Sequence, residues 1–210
     1  MTVAADLLLA LALIAALVDW WGVARRRVSV EFIARPLVDI ALIGTALAIE
    51  TPADITRGLI VAALGAALVG DVVLSTPDAR FEAGILATVV AHVLFVAALV
   101  EAVEPATAAV AALLYVGIGI GAAPQIIDGA RRQHPAAGVA IAGALFTAAL
   151  LGIVAAGTGV LIAAIGGGCF FASAALVTWN RFVAPAPGGN ALVHVTGHLG
   201  QVGVVLWLAT

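Results

Sequence analysis

The sequence has no lysine, one cysteine, one methionine and one tyrosine, and only 10% of its 210 residues are charged. Each shortage excludes something. A lone cysteine, Cys169, rules out an intrachain disulfide. Nine arginines against twelve acidic residues leave a net charge of -3 and no basic run of the kind that binds nucleic acid. The one cluster, Arg25-Arg26-Arg27, ends an apolar segment and reads as an orientation signal. Internal repeats are also missing, which disfavours a transporter built from two similar halves. What fills the chain is apolar: 64% hydrophobic residues and a mean hydropathy of +1.21. A soluble domain of this length has no interior large enough for that surface, so the solvent is a bilayer.

Turn and charge signals divide the chain into eight apolar segments, near 3–23, 34–49, 57–75, 81–100, 106–127, 136–156, 159–182 and 191–209. They predict an all-α fold, a polytopic bundle of eight transmembrane helices forming a single transmembrane domain over residues 1–210. The segments are continuously apolar rather than alternating, which argues against strands. The second is short and is expected to open at Arg35-Pro36, since proline suits a first helical turn. Gly157-Thr158-Gly159 is the weakest break, and one long kinked span there would give seven helices. The apolar run from Val3 to Val18 is followed by Asp19, Trp20, Trp21 and arginines, which suits a retained first helix rather than a cleaved signal. With eight spans, Arg25–Arg27, Arg35, Arg80, Arg131, Arg132 and Arg181 fall on one side and Arg57 on the other. The positive-inside rule then puts both termini outside the cytoplasm, in the plasma membrane of a prokaryote.

An ionisable residue inside a span is costly and marks function by default. Asp71 stands inside the run Gly58–Leu74 and is the foremost candidate. Asp39 is expected one turn into the second helix, Gln125 near the end of the fifth, Ser173 on the seventh and His92 deep in the fourth. His194, His198 and Gln201 share one face of the last helix at i, i+4 and i+7. If these faces converge, they line a polar cavity open toward the cytoplasmic leaflet, with Arg35 at its mouth. Asp19, Thr178 and Asn180 lie near span ends and read as interfacial. Carboxylate and imidazole together supply general acid–base chemistry on a lipid entering from the leaflet. Alternatively the His194-x3-His198 spacing places two imidazoles on one metal, with His92 or Asp71 completing the ligands.

At these residues the chain resembles the YhhN-like family of membrane proteins, the lysoplasmalogenases. The resemblance rests on Leu68-Val69-Gly70-Asp71-Val72-Val73-Leu74, Phe81-x2-Gly84 and Ala91-His92. It continues in Arg35-Pro36-Leu37, Gly168-x-Phe170-x2-Ser173, Asn180-Arg181-Phe182 and His198-x2-Gln201. It implies hydrolysis of the vinyl ether bond of lysoplasmalogens, by proton delivery to the vinyl carbon and water addition to the oxocarbenium ion. Two departures matter. Where the family carries a second embedded aspartate after the helix-7 serine, this chain has Ala174. Where it carries a tyrosine four residues before the final glutamine, this chain has Gly197.

The expected catalytic residues are therefore Asp71, His92, Ser173 and His198. Arg35, Asp39, Gln125, His194 and Gln201 are expected to bind substrate. His92, His198 or Asp39 is available to replace the missing carboxylate. No cofactor and no metal is expected on this reading; the partners are the bilayer and a lysophospholipid. The alternatives are a non-catalytic lipid-binding or transport protein on the same scaffold, and a zinc-dependent membrane lipid amidase or esterase.

Overall fold

A computed structural model describes residues 1–75 and 81–210. The expected turn at Thr76-Pro77-Asp78, and Arg80, lie outside the described residues. The helices are α1 (Val3–Ala24), α2 (Val28–Ala48), α3 (Asp54–Ser75), α4 (Phe81–Leu99), α5 (Pro105–Gln133), α6 (Pro135–Gly157), α7 (Leu161–Phe182) and α8 (Gly189–Trp207). A short 3-10 turn, Val100–Ala102, follows α4. No strand occurs among the described residues.

The boundaries follow local chemistry. Thr2 caps α1, its hydroxyl accepting from Ala5 N at 3.1 Å. His134 caps α6, with Pro135 in the first turn, where its missing N–H costs nothing. Gly159 takes a φ of +70° between α6 and α7, a backbone that glycine adopts freely. The chain thus breaks there, and the single kinked span does not form.

Two expectations need correction. Helix α2 begins at Val28, so Pro36 lies inside it rather than opening it, and Asp39 lies at mid-helix. Glu31 stands in the first turn, where a carboxylate offsets the helix dipole. Helix α5 continues six residues past Ile127 to Gln133, with Arg131 and Arg132 in the last turn, where cations are favoured.

Neighbouring helices pack in a closed order: α1 on α2, α2 on α3, α3 on α4, α4 on α6, α6 on α7, α7 on α8, and α8 back on α1 and α2. Helix α5 sits outside this ring, against α6 and α7. Glycine sets the closest crossings. A Cβ on Gly203 would lie 2.7 Å from Gly166 Cα, so only small residues let α7 and α8 approach this far. A Cβ on Gly84 would meet Leu74 at 2.5 Å, which ties α4 to the end of α3.

Burial is inverted relative to a water-soluble protein. Leu7, Ile14, Ile55, Leu113, Ile120 and Phe146 are exposed, whereas Asp19, Asp39, Thr45, His92, Thr178, His198 and Gln201 are buried. Lipid accepts the former and cannot hydrogen-bond the latter. Among the described residues, six helices are long and apolar enough to cross a membrane. The other two are α2 and α8, which carry Glu31, Arg35 and Asp39, and Asn190, His194, His198 and Gln201. Polar residues that face one another inside the ring lower the hydropathy of the helices that bear them.

Candidate functional site

In an up-and-down bundle, the late halves of odd helices share one end with the early halves of even helices. Asp19, Asp71 and Ser173 belong to the first group, and Arg35 and His194 to the second. The ring therefore gathers them at one end, around a cavity of about 450 Å³. Its lining includes Glu31, Arg35, Asp71, His92, Ser173, Ala174, His194, Gly197, His198 and Gln201. Asn190 and Gln201 both line it, and the eleven helical steps from one to the other rise roughly 16 Å. Arg181 and Phe81 also border the cavity, the guanidinium lying 5.0 Å from the ring centroid.

Arg35 meets three neighbours, the first being Glu31, whose Oε2 lies 4.0 Å from Nη2. Its Nη1 donates to Ser75 Oγ at 3.2 Å, and Ser75 Oγ donates to the Asp71 carbonyl at 2.7 Å. Its Nη2 contacts both ring nitrogens of His194: Nε2, the nearer, and Nδ1 at 3.1 Å. Nδ1 also lies 2.7 Å from Asp19 Oδ2, its shorter contact. A carboxylate only accepts and a guanidinium only donates. His194 therefore carries its proton on Nδ1 and accepts from Arg35 on Nε2. One turn on, the assignment reverses. Trp20 Nε1 donates to His198 Nδ1 at 3.0 Å, so the proton of a neutral His198 sits on Nε2, 4.0 Å from Asp19 Oδ2. The i, i+4 spacing thus serves Asp19, Arg35 and Trp20. Among the described residues no group of three His, Cys, Asp or Glu side chains is arranged to hold a metal.

The acidic centre lies beside this cluster. Gln201 Nε2 donates to Asp39 Oδ1 at 2.7 Å. The Asp39 and Asp71 carboxyls feel each other's charge, and Asp71 also feels those of Arg35, His194 and Asp19. Among the described residues, Asp39 Oδ2 is buried with no hydrogen-bond partner, as are Asp19 Oδ1 and Gln201 Oε1. Asp71 faces the cavity, and Asp39 lies fully buried behind it.

His92 lies at the deep end, packed edge-on against Phe170 at 5.5 Å and 3.5 Å from Thr147 Oγ1 through Nδ1. Thr147 gives its own hydrogen to the Ala144 carbonyl, so it accepts from the imidazole. Among the described residues no partner holds His92 Nε2, unlike either nitrogen of His194. Ser173 Oγ donates to the Val193 carbonyl on α8 at 2.9 Å rather than to its own helix. Ala174 and Gly197 both line the cavity, and a Cβ on Gly197 would meet Ser173 Oγ at 3.3 Å. The two departures from the family pattern therefore fall in the site itself.

Gln125 does not join the others. It is exposed on α5 and reaches only the Gly121 carbonyl of its own helix, at 3.4 Å. The interfacial reading of three residues also gives way. Asp19 and Thr178 are fully buried. Asn180 borders the cavity, its Oδ1 accepting from Ala186 N at 2.9 Å. Sequence reasoning missed Asp19 and Trp20 as site residues. The signal available was the Asp-Trp pair in one turn of α1, facing the histidine stripe of α8.

Fold and site together define a helical membrane protein with a polar, carboxylate-bearing cavity at one end of its bundle. The chain belongs to the YhhN family, which matches residues 30–208. No curated protein and no solved structure matches it.

Proposed function

We propose that this protein hydrolyses the vinyl ether bond of a lysoplasmalogen-type lipid, with the facing carboxyls of Asp39 and Asp71 as its acid. That pair is the observation that carries the reading. Two buried carboxyls that feel each other's charge hold one proton between them more readily than they ionise together. Asp71 opens on the cavity and delivers the proton to the vinyl carbon β to the ether oxygen. The adjacent carbon becomes an oxocarbenium ion, stabilised by the carboxylate left behind. Water adds there and returns a proton to the pair. The hemiacetal then collapses to a fatty aldehyde and a glycerophospho-alcohol. Asp39, on α2, thereby supplies the second acid that Ala174 lacks on α7. His92 Nε2 stands in the same cavity as the group free to move a proton during collapse.

Arg35 and Arg181, at the open end, suit a lipid phosphate, which guanidinium groups bind in bidentate fashion. All eight helices span the membrane in this reading, α2 and α8 with their polar faces turned into the ring. The arginine-rich end faces the cytoplasm. A second reading rests on Ala174: without an acid there, the same cavity binds a single-chain lipid and does not cleave it. Aldehyde release from a panel of vinyl-ether lysolipids separates the two. Turnover that is lost in Asp71→Asn supports the hydrolase. Tight binding with no turnover on any member supports the binding protein.

A further inference from the structure

The family match begins at residue 30, yet α1, which precedes it, places a fully buried carboxylate against the site. Asp19 is the end of a chain of three groups. It fixes the proton of His194 on Nδ1, and His194 Nε2 then accepts from Arg35. Were the tautomer reversed, an N–H would point at a guanidinium that has only hydrogens to offer. Nδ1 would then be the nitrogen left to accept from Arg35, at 3.1 Å, and its lone pair would face the Asp19 carboxylate. Trp20, the next residue, plays the parallel part for His198.

We propose that Asp19 is a positioning residue: through the His194 tautomer, it aims the Arg35 guanidinium at the phosphate of the bound lipid. This rests on the lipid-pocket reading above, and it adds α1 to the site. It also gives Asp19 a job beyond clamping α1 to α8, for which an apolar contact would serve as well.

Two measurements test it. The first needs no lipid. In protein carrying 15N-labelled histidine, assigned with His194→Gln, the His194 ring nitrogens report which one bears the proton. Wild type is expected to show Nδ1–H. Asp19→Ala is expected to lose that preference. Asp19→Asn, which keeps an acceptor oxygen, is expected to fall between them. An unchanged tautomer in Asp19→Ala overturns the proposal whatever the protein binds.

The second measures the Kd of a lysophospholipid whose saturated alkyl ether cannot be cleaved. Asp19→Ala is expected to weaken binding roughly 10- to 100-fold, the value of a charge-assisted bond. In an Arg35→Ala background the same substitution is expected to add nothing. Independent, additive losses would make Asp19 a structural residue and overturn the proposal; so would equal binding by Asp19→Ala and wild type. If Asp19→Ala fails to fold, the isosteric Asp19→Asn carries both measurements. Failure of wild type to bind the lipid would overturn both the lipid-pocket reading and the aim at phosphate, while the labelled ring would still show whether Asp19 sets the tautomer.

Discussion

Helices α5 and α8 look alike in sequence and behave oppositely in the fold. Both are glycine-rich, both are interrupted by polar side chains, and both were expected to feed one cavity. On α8, His194, His198 and Gln201 each meet a named partner from α1 or α2. On α5, Gln125 faces outward and returns to its own backbone. The glycines divide in the same way. A Cβ on Gly203 or Gly200 would strike α7, whereas Gly117, Gly119 and Gly121 have nothing within 4 Å; on α5 it is Gly129, near the helix end, whose Cβ would strike the Phe182 carbonyl of α7. The difference is position in the ring. Helix α8 closes it and touches α1, α2, α3 and α7, while α5 lies outside. In a bilayer, a polar residue gains meaning from what faces it, and spacing along one helix does not supply that.

The sharpest way to break the comparison is chemical. Asp71→Asn is expected to cut vinyl-ether turnover about 100- to 10,000-fold, the range for losing a general acid. Gln125→Ala, which removes a polar side chain eight residues before the end of α5, is expected to leave turnover unchanged. Rate assays on both variants in one detergent check this, and a comparable loss in Gln125→Ala would bring α5 back into the site.

Next in size is substrate binding. Arg35→Ala is expected to raise KM roughly 10- to 100-fold with a smaller change in kcat, because a charge-assisted contact to phosphate is removed. Arg57→Ala, at the opposite end of the bundle, where Arg57 meets Asp54 and the Ile49 carbonyl, is expected to leave KM unchanged. Initial-rate kinetics on the pair decide it, and equal KM values would remove the phosphate clamp.

The smallest effect is in stability. Gly203→Ala forces α8 away from Gly166 and is expected to destabilise by about 1–3 kcal/mol. Gly117→Ala meets open space and is expected to be neutral or to stabilise by up to about 1 kcal/mol, through helix propensity. Thermal unfolding of the two variants sharpens the contrast between ring and periphery. A destabilised Gly117→Ala would show that the outer face of α5 is covered.

Much of this architecture is legible in the sequence, for a definite reason. The bilayer leaves a buried carboxylate few alternatives, so Asp71 stands out from composition alone. The helices themselves follow from long apolar runs and their charged or glycine-bearing breaks. Other features are hidden by the same rules. Asp19 sits near a span end, where charge ordinarily reaches the headgroups, and only the closure of α8 on α1 buries it. The start of α2 is masked by Glu31 and Arg35, charges that face the cavity but read as loop. Above all, the meeting of Asp39 with Asp71 depends on how α2 packs on α3, which no spacing within either helix encodes.

The account stands on that meeting. Its most direct measurement is the rate of aldehyde release from a vinyl-ether lysolipid by wild type, Asp39→Asn and the double variant Asp39→Asn/Ala174→Asp. The account predicts measurable turnover in wild type and a loss of about 100-fold or more in Asp39→Asn. It predicts partial recovery when Ala174→Asp returns a carboxyl to the cavity from α7. Wild-type turnover that persists undiminished in Asp39→Asn would contradict it.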